Sequence, residues 1–119
     1  RGHITIEDID VQDSFERARR ELREQALESL PFHHHVLYEI IRGKGEVTTA
    51  AINDRYDAIY GVAYEDRDQT PISKRARRTK LTKLIEYDLV GCRDSNGGRI
   101  YWAADPSILS PLKLTVPMP

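Results

Sequence analysis

The sequence predicts a mainly α domain with a small β-hairpin, and three observations carry that prediction. Apolar residues recur at steps of three and four in several stretches before residue 88, the period of helices that bury one face. Ser95-Asn96-Gly97-Gly98 then separates two short runs that include Val, Ile, Tyr and Trp, a hairpin signal because Asn and Gly tolerate positive φ. Between the two patterns lies Ser73 to Asp88, where Lys74, Arg75, Arg77, Arg78, Lys80 and Lys83 fall within ten residues. Helix, short strand, helix, turn, basic helix, hairpin is the order of a winged helix-turn-helix, here preceded by an amphipathic helix.

Residues 4–30 read as the first helix. Thr5 with Asp8, and Asp13 with Glu16, have capping-box spacing, so a break near Asp13 is allowed. Val11, Phe15, Ala18, Leu22, Ala26 and Leu30 form one apolar stripe, and the other faces mix Glu and Arg, with Arg17–Glu21 and Arg20–Glu24 at i,i+4. Such a helix packs on the domain or pairs with a second copy, so both a monomer and a dimer through residues 13–30 are expected forms. Pro31 suits the first turn of a second helix running to about Arg42, with Val36, Leu37, Ile40 and Ile41 inward. Gly43-Lys44-Gly45 stops it, and Glu46-Val47-Thr48 is extended.

Thr49 is expected to cap a third helix from Ala50 to about Tyr64, burying Ile52, Tyr56, Ile59 and Ala63. A polar connection, Glu65 to Thr70, leads to Pro71-Ile72 and to Ser73, the expected N-cap of the basic helix. At 100° per residue Arg75, Arg78, Thr79, Thr82, Lys83 and Glu86 share one face, and Leu81 and Leu84 lie opposite, edged by Ile85, Ala76 and Tyr87. Surface helices usually interleave charges, and no acid appears here before Glu86. A cationic face over an apolar one is what a DNA major groove asks of a recognition helix. The hairpin strands are expected at Leu89–Asp94 and Arg99–Ala104, with Arg93 and Arg99 flanking the tip. Residues 105–119, with four prolines, read as an extended tail that adds little core.

The 119 residues suit one domain plus an arm: 1–30 as a helical arm, 31–104 as the DNA-binding domain, 105–119 as the tail. The net charge of −1 conceals a polarity. Residues 71–104 hold eight Lys/Arg against three Asp/Glu, whereas 1–30 hold five against eight and 31–70 four against seven. Nucleic acid is therefore met by one third of the chain rather than by the whole surface.

No run is apolar enough for a membrane span or a secretory leader, and Cys92 is alone, so a reducing, cytoplasmic and nucleoid-associated home is expected. His33-His34-His35 cannot converge on one ion, because neighbouring helical side chains diverge by about 100°. No nucleophile–base–acid set is visible, and nothing resembles G-x-x-x-x-G-K-[ST], so neither catalysis nor a cofactor is expected of this sequence.

Leu30-Pro31-Phe32-His33-His34, Val36-Leu37-Tyr38, Val47-Thr48-Thr49, Pro71-Ile72-Ser73-Lys74-Arg75 and Leu84 through Gly91 follow one another in an order and spacing that resemble a known family. It is the C-terminal winged-helix domain of archaeal replication initiators, AAA+ proteins related to the origin recognition complex and to cell division control proteins. The lead-in Ile4-Thr5-Ile6-Glu7-Asp8-Ile9 is similar to the end of the family's AAA+ lid. The resemblance spans roughly residues 4–104. It implies binding of duplex origin DNA, with ATP and Mg²⁺ handled only by an AAA+ part of a longer parent, and with that part or a replicative helicase as further partners.

Carried over by position, the resemblance makes Ser73, Lys74, Arg75, Arg78, Thr79 and Thr82 groove-facing, with Lys83 beside them. It puts Arg93 and Arg99 on the wing and makes Thr48 and Thr49 phosphate contacts. Arg77 and Lys80 stand where relatives are expected to be more aliphatic; their stems would lie on the core and their heads rise to a phosphate. Two rival readings remain. A dimeric winged-helix transcription regulator would bind half-sites about one helical turn apart. A winged helix used for protein contact would tolerate loss of Arg75 and Arg78.

Overall fold

The computed structural model describes residues 6–65, 70–96 and 98–110, and the side chains of the first helix from Asp13 onward. Four helices precede a hairpin: α1 (Ile6–Ser29), α2 (Phe32–Arg42), α3 (Thr49–Ala63) and α4 (Lys74–Glu86). A three-stranded antiparallel sheet completes the fold, from β1 (Val47–Thr48), β2 (Val90–Ser95) and β3 (Gly98–Ala103), in the order β1-β3-β2. The expected hairpin is thus extended by a third strand, with Val47 opposite Tyr101 and Cys92 opposite Tyr101 on the other side. The architecture is mainly helical and of winged-helix type. No helix among the described residues is long and apolar enough to cross a membrane.

α2 is the central helix. The expected Val36, Leu37, Ile40 and Ile41 are buried, and so are His34, His35 and Tyr38, so the core surrounds it on nearly all sides. Pro31 precedes the first helical residue as the N-cap, and Gly45 takes φ 82 where the chain turns into β1. α3 buries Ile52, Tyr56, Ile59 and Ala63 as its spacing predicts, but its N-cap is Thr48 rather than Thr49: the Thr48 hydroxyl accepts from the Ala51 N–H at 3.1 Å. The helix therefore begins one residue earlier than expected.

α4 is capped by Ser73, whose hydroxyl accepts from the Ala76 N–H at 3.2 Å. It packs Leu81 and Leu84 into the core. It ends in a Schellman arrangement, with Asp88 N–H donating to Ile85 O and Leu89 N–H to Leu84 O, both at 3.0 Å. That arrangement puts Asp88 at φ 62, the left-handed region glycine usually takes. Arg23 of α1 holds it there, donating to the Asp88 carboxylate at 2.7 Å and to its carbonyl at 3.0 Å.

Two expectations are corrected. The apolar stripe of α1 does not pack along its length: Phe15 and Leu22 are each 67% exposed, and Ala18 is exposed, while Leu27 and Leu30 enter the core. The helix runs unbroken past Asp13 and docks only by its last three turns, because Arg20, Arg23 and Leu27 face the body instead. Val11 and the lead-in residues 4–9 lie outside the described side chains. The tail, expected to add little, contributes Ile108 to the core at 1% exposure. Tyr38 donates its hydroxyl to the Ile108 carbonyl at 2.7 Å, and Glu39 accepts from the Ser110 N–H at 3.0 Å. Arg20 binds Asp105 and Ser107 in the same segment. A single buried aliphatic and a few backbone groups suffice to fix it; residues 111–119 lie outside the described residues.

Candidate nucleic-acid interface

The inner face of the wing is set by strand alternation. Tyr101 and Ala103 are buried against the helices, so Arg99, two residues earlier on β3, points to the same side. There it meets the N-terminal half of α4 and the start of α3. The three elements enclose a cleft of about 580 Å³ lined by Thr49, Asn53, Lys74, Arg77, Arg78, Leu81, Thr82, Gly98, Arg99 and Tyr101. Four of these are basic and none is acidic. Five expected contact residues, Thr49, Lys74, Arg78, Thr82 and Arg99, are thereby brought together although fifty positions separate the first from the last.

A smaller hollow of about 210 Å³ continues from it between the α3 N-terminus and the wing tip, with Thr48, Thr49, Ala50, Ser95, Asn96 and Arg99 around it. Thr48 caps the Ala51 N–H, and the N–H groups of Thr49 and Ala50 have no acceptor within the helix. Together with the positive end of the helix dipole they favour an anion.

On α4 the exposed residues are those the helical periodicity predicts. Arg75, Arg78, Thr79, Thr82 and Lys83 all face outward. The hydroxyls of Thr79 and Thr82 donate back to the carbonyls of Arg75 and Arg78, at 3.4 and 3.1 Å, which commits the hydroxyl proton to the helix. Ser73 is committed to its cap, and Lys83 lies 5.4 Å from the Tyr87 ring centre. Arg75, Thr79 and Lys83 continue the basic face beyond the cleft without lining it.

Arg93 is not brought to this site. It pairs across the hairpin with Ile100, on the face that carries Trp102, and its guanidinium lies 5.6 Å from the Trp102 ring centre. Glu46 takes it in two bonds of 3.0 and 3.2 Å, and Arg93 in turn holds the Glu46 carboxyl below the usual range. The same outer face explains Gly91, where a Cβ would stand 2.4 Å from the Trp102 ring. Arg99 has a looser partner in Asp94, at 3.6 Å with both side chains exposed.

Arg77 also departs from expectation. Its head does not rise from the surface; the residue is 7% exposed and its guanidinium lies 3.9 Å from the centre of the Tyr56 ring. It donates to the Ile72 carbonyl at 3.1 Å, to Asn53 Oδ1 at 2.9 Å and to Asp57 Oδ1 at 3.1 Å. Buried charge requires such partners, and α3 supplies two of them. Asn53 and Tyr101 line the cleft without having been expected there. For Asn53 the signal was available: it lies four residues after Thr49, on the same face of α3.

The histidine triplet diverges. His33 Nδ1 is 2.7 Å from the Tyr64 hydroxyl, at the end of a chain in which Ile72 N–H donates to Tyr56 and Tyr56 to Tyr64. His35 Nε2 donates to the Leu27 carbonyl at 2.7 Å. His34 is buried, and burial, then the nearby Lys80, lowers its pKa to about 4. Among the described residues no group of His, Cys, Asp and Glu could hold a metal ion.

The chain is similar to the ORC1-type DNA replication protein 9 of Halobacterium salinarum, 26% identical over 100 residues. That match covers 84% of this chain and 26% of the relative, so the chain spans about a quarter of the relative's length. No protein-family profile matches, and no solved structure does.

Proposed function

We propose that this chain binds duplex DNA in a sequence-dependent way, as the origin-recognition domain of an archaeal-type replication initiator. The observation that carries the reading is the cleft between α3, α4 and the wing, with four basic side chains and no carboxylate among its lining residues. A helix presenting Arg75, Arg78, Thr79 and Thr82 fits the major groove, whose width of about 12 Å admits one helix. In this reading Arg78 and Arg75 read guanine, and the threonine methyls meet thymine. Thr48, Thr49 and Arg99 in turn hold backbone phosphates on either side in this reading. The similarity to an ORC1-type replication protein supports the initiator assignment. In that assignment ATP and Mg²⁺ belong to an AAA+ part outside this sequence, and that part and a replicative helicase are the protein partners.

Arg75→Ala and Arg78→Ala should each cost about 1–3 kcal/mol on the preferred duplex and relax specificity at the base they read. Arg99→Ala should weaken all duplexes alike. Binding of fluorescent duplexes selected from a random pool measures both. Wild-type affinity in the Arg75 and Arg78 variants would favour the protein-contact reading and exclude this one.

A further inference from the structure

We infer that Asn53 is a phosphate contact of the cleft, with its amide aimed by Arg77; this rests on the DNA reading above. A guanidinium only donates, so the Asn53 atom 2.9 Å from Arg77 Nη1 is the amide oxygen. What Asn53 offers the cleft is therefore its Nδ2 donors. The aim is firm because Arg77 is itself fixed from three sides, by the Ile72 carbonyl, the Asp57 carboxylate and the face of Tyr56. A donor held in one orientation loses little freedom when it binds.

The chemistry of the ligand follows from what Asn53 has left. Reading adenine takes both the oxygen and the nitrogen of a carboxamide, and here the oxygen is committed to Arg77. Two N–H donors alone, beside Lys74, Arg78 and Arg99 and with no carboxylate on the lining, fit a phosphodiester oxygen. Asn53 thus contributes to affinity and to register, not to sequence choice, and extends the phosphate-binding end of α3 by one turn beyond Thr49. Arg77 acts as a positioning residue, one helical step from Arg78 but turned the other way.

Asn53→Asp and Asn53→Ala separate the possibilities. The aspartate keeps an oxygen for Arg77, so its melting temperature should stay at or above that of the wild type, while the donors are gone. Both variants should bind every duplex about tenfold more weakly or worse, the loss expected for a hydrogen bond to a charged group, with ratios between duplexes unchanged. Wild-type affinity in a folded Asn53→Ala, even if Asn53→Asp binds poorly, would overturn the inference, because added charge alone would then be acting. A loss confined to one duplex sequence would overturn it as well. Should Asn53→Ala fail to fold, Asn53→Leu, which keeps the side chain's bulk but has no hydrogen-bond donor, takes its place under the same criteria. Arg78→Ala is measured alongside: its loss with Asn53 variants unaffected removes only this inference, whereas no loss in any of them removes the DNA reading.

Discussion

Arg77 and Arg78 are adjacent in the chain and do different work. The 100° step between them turns one guanidinium into the α3–α4 contact and leaves the other on the cleft wall. The sequence shows only two basic residues in a row, because the groups that make a buried guanidinium tolerable, Asn53 and Asp57, lie twenty or more positions away on another helix. His34 gives the residue scale its pH dependence. Its pKa falls from 6.5 to about 4 on folding, since burial and Lys80 disfavour the imidazolium. His33 shifts in the same direction for the same two causes. The unfolded chain therefore takes up the proton first, and this contribution to stability is complete above pH 6.5 and lost as pH falls toward 4. Glu46 and Asp105, whose carboxyls are held low, contribute their loss only at more acidic pH. Melting temperature should drop between pH 6.5 and 5, and His34→Leu should flatten that drop. Identical profiles for variant and wild type would contradict the assignment.

At the scale of elements, what was legible depended on whether a pattern reports local or distant constraints. The N-cap of α4, the buried positions of α3 and the hairpin are local, and Ser73, Ile52 and the Asn96 turn announced them. The α1 stripe was equally clear, yet the helix docks by a different face, since its arginines find Asp88 and Asp105 on the body. Periodicity says that a helix has an apolar side; it does not say what covers it. The tail misled for the opposite reason, because one aliphatic residue, Ile108, anchors a segment whose prolines suggested no packing. A quantitative contrast follows for α1. Leu27→Ala should cost about 2–5 kcal/mol, as a core leucine does, whereas Leu22→Glu should change stability by no more than about 0.5 kcal/mol. Sedimentation should show a monomer for both wild type and Leu22→Glu. A wild-type dimer that Leu22→Glu dissolves would instead favour the dimeric regulator, with Phe15 and Leu22 at its seam.

For the whole molecule, the distribution of charge outweighs its sum. A chain of net charge −1 carries its excess of bases in residues 71–104, and folding divides that excess. Lys74, Arg78 and Arg99 converge on the cleft with the α3 N-terminus, while Arg93 is drawn to Glu46 on the outer face of the wing. The polarity was readable from sequence, but the division between the two faces was not, since it follows from the β2–β3 register that puts Arg93 opposite Ile100. Asp88 then ties the end of α4 to α1 through Arg23, which helps fix the orientation of the basic helix relative to α1. If the cleft grips phosphates, binding must release the counterions they hold, and log affinity must fall linearly with log salt. The most direct measurement is therefore duplex-DNA affinity from about 50 to 200 mM salt, for the wild type and for Lys74→Ala with Arg99→Ala. A cleft that grips phosphates gives a steep negative slope, which the double variant makes shallower by about two; a flat wild-type response would contradict DNA binding there.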